Sequence, residues 1–255
     1  MVWRPEQYLV GNYFQTEVNE LFRKSFNIHP FGSILDIGSG DGYYINRLAG
    51  FVKSGQILGI DSSAEMVNYA EQHWRRKNLS FEVHRIEDYQ SSMMFDFILS
   101  FWCLHWTQIE LSFSNIFNAL KGEGRLYAIV SSFSDNSVLQ AWQELIKNSR
   151  YSDLAQQNIN AFNEYTDYFY RVLTVLNKIP FRKVRLDLQT LRIYLPSMEY
   201  FKGLLLTLPF MNTIAEEIQE DLSNTLCDAF QKICQYKYEG KLYYETRPIF
   251  LEAIK

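Results

Sequence analysis

The stretch Ile34-Leu35-Asp36-Ile37-Gly38-Ser39-Gly40-Asp41-Gly42 decides how the rest of the chain is read. Ile34, Leu35 and Ile37 form the short apolar run that a central parallel strand needs, with Asp36 near its carboxyl end. Three glycines at alternate positions follow, and a backbone without Cβ atoms lets a ligand approach closely. Open α/β sheets bind ligands at this place, beyond the carboxyl ends of their strands.

Working outward, the loop leads into a helix through Tyr43, Ile45 and Leu48. A second strand is expected over 56–60, closing on Asp61-Ser62-Ser63, where Ser62 or Ser63 can cap a helix from Ala64 to Trp74. Leu79 to Val83 reads as the third strand. The basic run Arg75-Arg76-Lys77 before it reads as a solvated helix end. Phe95 to Phe101 is the fourth strand, a helix spans 109–120 and stops at a turn formed by Gly122 and Gly124, and 124–130 is the fifth. Strands alternating with helices at this spacing call for right-handed βαβ units around a parallel sheet.

The alternation stops near residue 133. Residues 137–178 are helical in pattern and rich in tyrosine, with Trp142, Leu145, Ile146, Tyr165, Tyr168 and Phe169 at apolar positions, and read as an inserted lid. A sixth strand is expected over Lys183–Leu188, then a helix capped by Ser197 and another carrying Ile214 to Ile233. Residues 241–254 form a last strand in which Pro248 marks an edge or irregularity. Before the sheet, Tyr8, Phe14, Val18, Leu21 and Phe22 recur at helical spacing. The expected organisation is a cap helix within 1–30, a cofactor-binding core at 31–136, a helical lid at 137–180, and the remaining core sheet with C-terminal helices at 181–255.

The 255 residues can bury a substantial core, and the 19 Phe, 17 Tyr and 5 Trp fit both core packing and a ring-lined ligand chamber. A net charge of −4 is too small to imply nucleic acid or an acidic surface as partner. Cys103, Cys227 and Cys234 show neither zinc nor redox spacing, so no metal is expected and the thiols are read as reduced. No basic stretch precedes an apolar segment at the start, and no run has the roughly 18 apolar residues of a membrane span. A cytoplasmic protein without a membrane span, a monomer or homodimer, is expected.

The glycine spacing chooses the cofactor. A dinucleotide site uses G-x-G-x-x-G, which seats a pyrophosphate on a helix N-terminus. Here the pattern is Gly38-x-Gly40-x-Gly42, with Asp36 and Asp41 beside it, a poor setting for phosphates and a good one for a cation. S-adenosylmethionine carries an ammonium and a sulfonium and no phosphate. Asp61, about twenty residues past the loop, is placed to accept the ribose hydroxyls. Its plainer alternative is a helix cap, work that Ser62 and Ser63 can do.

Asp36-x-Gly38-x-Gly40-x-Gly42, Gly59-Ile60-Asp61-Ser62-Ser63-x-x-Met66 and Phe95-Asp96-x-Ile98-x-Ser100 together resemble the class I S-adenosylmethionine-dependent methyltransferases in order and spacing, over roughly residues 30–133. The resemblance implies an α/β, Rossmann-like sheet of seven strands ordered 3-2-1-4-5-7-6, with strand 7 antiparallel. It implies cofactor contacts from Asp36, Gly38, Ser39, Gly40, Asp41, Asp61, Ser62, Met66, Ser100 and Phe101. An acid or amide for the adenine amino group is common in that family after strand 3. This chain has His84-Arg85-Ile86-Glu87-Asp88 there, and since Arg85 cannot accept a hydrogen bond, Ile86 and Glu87 are assigned to the adenine.

Past strand 4, Ser100-Phe101-Trp102-Cys103-Leu104-His105-Trp106 resembles the juvenile hormone acid methyltransferases, as does Tyr8-x-x-x-Asn12-x-x-Gln15. In that family a Gln and a Trp at these positions hold the substrate carboxylate, which implies Gln15 and Trp106 here. Trp3-x-Pro5-x-x-Tyr8-Leu9 is similar to the trans-aconitate methyltransferases, which also esterify carboxylates. A carboxylate with a pKa of about 4 needs no base to become a nucleophile. The expected activity is therefore methylation of a small or lipid-like carboxylic acid. Arg171, Arg182 and Arg192 leave a polyanionic acid open. The alternatives are N-, C- or hydroxyl O-methylation of a small molecule with His105 as base, and a cofactor-binding scaffold without turnover.

Overall fold

The computed structural model describes residues 10–90, 93–148, 150–163 and 167–255. Trp3, Pro5, Tyr8, Leu9 and Tyr165 lie outside the described residues. In chain order the elements are α1 (Tyr13–Arg23), β1 (Ile34–Ile37), α2 (Tyr43–Ala49), β2 (Ile57–Asp61), α3 (Ala64–His73), β3 (Leu79–Val83), β4 (Phe95–Phe101), α4 (Ile109–Ala119) and β5 (Leu120–Ser131). There follow α5 (Ser137–Asn148), α6 (Ser152–Asn163), α7 (Tyr168–Leu176), β6 (Lys183–Leu188), β7 (Leu191–Tyr194), α8 (Met198–Thr207), α9 (Glu216–Tyr238), β8 (Tyr243–Thr246) and β9 (Pro248–Ile254). Among the described residues no helix is long and apolar enough to cross a membrane.

The described residues form two compact units, one drawn from within 10–18, 132–168 and 189–248, the other from within 19–131, 169–188 and 249–255. The second holds the seven-stranded sheet, in the order β3-β2-β1-β4-β5-β9-β6. Strands β1 to β4 run parallel to their neighbours, and β4 runs parallel to β5. β9 is antiparallel to β6, with Leu186 opposite Leu251. In sheet strands alone this is the expected 3-2-1-4-5-7-6 order. β1 is buried along its whole length, as a strand covered on both faces must be. Phe26 stacks on Tyr127 at 3.9 Å between ring centres and Phe22 on Phe250 at 4.8 Å, which places much of the aromatic content in this core.

Two expectations about strands are corrected. Gly122 and Gly124 do not end a helix in a turn: α4 stops at Ala119 and β5 begins at Leu120. The register slips from Phe95 opposite Leu120 to Phe97 opposite Arg125, and Glu123 has φ 65°, so the glycines belong to an irregularity inside the strand. The segment 241–254 is two strands. Tyr243–Thr246 pairs with β7 in a separate two-stranded sheet, and the main sheet takes only Pro248–Ile254. Pro248 opens an interior strand, where a missing N–H costs no ladder bond, so it marks no edge; of the two alternatives expected of it, the irregularity holds, as the break between β8 and β9.

The first unit has its own core. Trp142, Phe201 and Phe230 are wholly buried there, Phe201 stacks on Phe230 at 4.0 Å, and Phe14 packs on Tyr244 at 4.5 Å. Glu245 ties three elements together: its N–H donates to Ser137 Oγ at 2.8 Å and its carboxylate accepts from Tyr238. Ser197 occupies the cap position of α8 without a side-chain hydrogen bond, contrary to the capping expected of it.

Candidate functional site

The glycine loop is pinned across the end of β2. Gly38 and Ser39 donate their N–H groups to Ile60 O at 2.8 and 3.0 Å, and Gly42 N–H closes a turn on Ser39 O at 3.0 Å. Gly38, Gly40 and Gly42 have φ of 73°, 55° and 75°, the left-handed region that favours glycine. Their surroundings differ. A Cβ on Gly38 would stand 2.4 Å from the Cβ and Sγ of Cys103, and one on Gly42 would meet Ala70, Phe81 and Trp74 at 2.8 Å. At Gly40 a Cβ would meet nothing within 4 Å. Two glycines are therefore demanded by packing, while the third keeps open space above the loop.

Asp61 connects this loop to α3. Its Oδ2 accepts Gly40 N–H at 3.0 Å and its Oδ1 accepts Ser63 N–H at 2.9 Å. A carboxylate has about four acceptor sites, and with Ser62 N–H also directed at this one some acceptor capacity is left for a ligand. Ser63 performs the capping: its Oγ accepts Met66 N–H at 3.3 Å, and Met66 turns its side chain into the core. Ser62 is exposed beside it. Burial pushes the Asp61 carboxyl up, against the lowering pull of the N–H groups it accepts.

Asp36 lies at the end of β1, buried to 6% exposure. Burial first, and the charge of Asp61 second, push its carboxyl up to about 7. Asp41 is also buried and raised by burial, but its Oδ1 accepts Tyr43 N–H at 3.1 Å and its carbonyl accepts the Trp74 indole N–H at 2.8 Å, so it organises the start of α2. Two hydroxyls in this region are buried with no hydrogen-bond partner among the described residues, Ser39 Oγ and Tyr44 OH. Such groups are costly unless a ligand or water completes them. Tyr44 was not expected from the sequence. Its signal is its position in the first turn of the helix that follows the glycine loop.

The remaining positions divide. Ser100 is fully buried, and its Oγ donates to Ile37 O at 3.0 Å, which braces the end of β1. Phe101 sits edge-on to Tyr44 at 5.3 Å between ring centres. Ile86 is buried. Glu87 accepts Gln108 N–H at 3.1 Å and Arg85 at 3.3 Å. Burial raises its carboxyl, but these partners outweigh burial and hold it below the usual range. Both side chains thus anchor the turn after β3.

Past β4, Trp102 has φ 61° and its indole N–H donates to Asn19 Oδ1 at 2.9 Å. His105 is buried, its Nδ1 accepts Ser131 N–H at 3.3 Å, and burial lowers its pKa to about 3. Burial likewise raises the Cys103 thiol. Trp106 is 41% exposed, its ring 4.8 Å from that of His105. Gln15 is on α1 in the other unit, half-buried.

Residues 28–175, which include all of the site residues described above except Gln15 and Asn19, match the model of the family described as Methyltransferase domain. The chain belongs to this family. Two relatives of the methyltransferase are juvenile hormone acid O-methyltransferases. The one from Drosophila melanogaster is 35% identical over 136 residues, 49% of this chain and 44% of that protein. The one from Bombyx mori is 24% identical over 216 residues, 78% of this chain and 74% of that protein. The match therefore spans less than half the length of the Drosophila relative. Among solved structures, Haemonchus contortus phosphoethanolamine N-methyltransferase 2 in complex with S-adenosyl-L-methionine superimposes with a TM-score of 0.60 at 18% identity, over 94% of this chain and 52% of that one. At that identity the likeness concerns the fold.

Proposed function

We propose that this methyltransferase uses S-adenosylmethionine to esterify the carboxylate of a small, apolar or lipid-like acid. The residues present fit the cofactor. Asp36 and the unpartnered hydroxyls of Ser39 and Tyr44 suit the charged methionine end, the open face of Gly40 leaves room, and Asp61 has acceptor sites for ribose hydroxyls. When bound, the cofactor supplies an electrophilic methyl group on a sulfonium. The chain's task is alignment, with reacting atoms about 3 to 3.5 Å apart.

One observation favours a carboxylate acceptor over an amine or a phenol. The two groups past β4 that could take a proton, His105 and Cys103, are held in forms that do not: the imidazole is buried and already accepts a backbone N–H, and the thiol is kept neutral. A carboxylate needs donors instead, the role proposed for the Trp106 indole. The juvenile hormone acid O-methyltransferase relatives support the same acceptor class. With an accepted acid, Trp106→Phe is expected to lower kcat/KM roughly ten- to a hundredfold, the worth of a hydrogen bond to a charged group. His105→Asn, which keeps an acceptor for Ser131 N–H, should leave turnover within a few-fold. The reverse pattern would assign His105 as base and sink the carboxylate reading.

The raised carboxyl of Asp36 gives a pH test. Below about 7 it is protonated and offers no charge to an ammonium, so cofactor affinity should rise about an order of magnitude between pH 6 and 7.5. For the ligand-free protein the sign is opposite: the folded state holds this proton more tightly than the unfolded state, so the group's contribution to stability falls as pH rises from about 4 to about 7. Calorimetric titration at both pH values checks this. Asp36→Asn should bind weakly with a flat profile, and a flat profile in the unaltered protein would contradict the role.

A further inference from the structure

The end of the sheet opposite the glycine loop is a second organised surface, and it lies wholly within the second unit. Because β1 to β5 are parallel, the segments that precede them emerge together at the amino end. β6 starts at the same end: Lys183 pairs with Ile254, and the next residue, Lys255, donates its N–H to Gly124 O near the start of β5.

Four large apolar side chains are exposed there. Phe31, 73% exposed, precedes β1; Phe51, 69% exposed, precedes β2; Met93 and Met94, 45% and 46% exposed, precede β4. These three strands are neighbours in the sheet, so the apolar tips share its middle. Hydrogen bonds hold their loops in place: Ser54 and Gly55 donate to Pro30 O at 3.1 Å each, and Ser33 Oγ donates to Met94 O at 3.3 Å.

Cations flank this centre. Arg75 and Lys77 precede the edge strand β3, Lys53 precedes β2, Lys24 precedes β1, and Lys178 and Lys183 stand at the other edge beside β6. Among the described residues none of the six has a carboxylate partner, and all are exposed. Residues 24–33, 51–56, 74–78 and 177–183 contain no Asp or Glu. Of the acids nearby, Asp96 and Glu123 are paired with Lys121 at 2.9 Å and Arg182 at 2.6 Å, while Glu71 lines the same surface depression as Arg75 and Lys77 and offsets part of their charge. The chain's net charge of −4 averages this asymmetry away.

We propose that this end docks on an anionic lipid bilayer. Six interstrand gaps make it roughly 29 Å across, with cations at both edges and Lys53 and Lys24 on the central segments that also carry the apolar tips. Exposed Phe and Met tips with an unpaired basic rim combine the two weak signals that together hold a protein at a lipid surface. Phe31 and Phe51 offer faces on which bases stack, whereas the Met93 and Met94 thioethers beside them do not and suit acyl chains instead. Docked this way, the glycine loop points to the aqueous side and remains open to its ligand.

Co-sedimentation of the whole chain with phosphatidylcholine vesicles, with and without about 30 mol % phosphatidylserine, tests this. At about 0.1 M salt the expected partition is at least roughly tenfold higher with phosphatidylserine, and the difference should vanish near 1 M. Phe31→Ser with Phe51→Ser, and separately Arg75→Glu with Lys77→Glu, should each lower binding roughly tenfold. Both double variants should bind the cofactor like the unaltered protein, which shows that they fold. No binding to either vesicle, equal binding to both, or binding to single-stranded RNA without binding to vesicles would overturn the proposal.

Discussion

Asp61→Ala is expected to weaken binding of S-adenosylmethionine at least about a hundredfold, because two hydrogen bonds to a charged acceptor, at roughly 1.5 to 3 kcal/mol each, are lost together. The same change strands two backbone donors, Gly40 N–H and Ser63 N–H, now 3.0 and 2.9 Å from the carboxylate. It should therefore also cost roughly 2 kcal/mol of stability in denaturant titration. Ser63→Ala separates the two effects. That serine caps α3 through Met66 N–H, so its loss should cost about 1 kcal/mol of stability and leave affinity unchanged. An Asp61→Ala protein that binds the cofactor within a few-fold of the unaltered protein would show that Asp61 only fastens the loop to α3.

The second large effect separates glycines that look alike in the sequence. Gly38→Ala would force a Cβ to within 2.4 Å of Cys103 at φ 73°, and both neighbour and backbone resist. Left-handed strain of about 1 to 2 kcal/mol plus overpacking of about 1 to 3 should make it one of the most destabilising single changes in the sheet unit. In Gly40→Val the Cβ meets no protein atom within 4 Å, so its stability loss should come mainly from the strain of a side chain at φ 55°. Its side chain would instead fill the space proposed for the cofactor, and binding should be lost. Denaturation and calorimetric titration of the two variants should give opposite patterns. If Gly40→Val bound the cofactor normally, the open face of the loop would not be the binding face.

The sheet was legible because burial and sequence pattern agree. Ile34 to Ile37 reads as a buried strand and is one, and Leu79–Val83, Phe95–Phe101 and Lys183–Leu188 fall where their apolar runs place them. The expectation failed or stayed open where glycine and proline have two meanings. Gly122 and Gly124 sit in a strand irregularity that local sequence cannot tell from a turn, and of its two readings Pro248 takes the irregularity, opening an interior strand instead of marking an edge. The acids and glycines expected of the loop lie together at the carboxyl end of β1, as their spacing implies. Their division of labour was not legible, because it depends on Cys103 approaching Gly38 from more than sixty residues away. Asp41, Ser100, Met66 and Glu87 turn out to brace the framework, and Tyr44 emerges only once its hydroxyl is seen buried without a partner. The basic, apolar end of the sheet escapes a reading by net charge because only the parallel topology gathers its loops together.

The central claim is that the methyl group goes to a carboxylate oxygen. The most direct test incubates the protein with methyl-labelled S-adenosylmethionine and a panel of fatty, isoprenoid and polycarboxylic acids, then treats the labelled product with mild base. The expected result is an organic-soluble product from an apolar acid whose label is released as methanol. Label that resists base, on nitrogen or carbon, would contradict it.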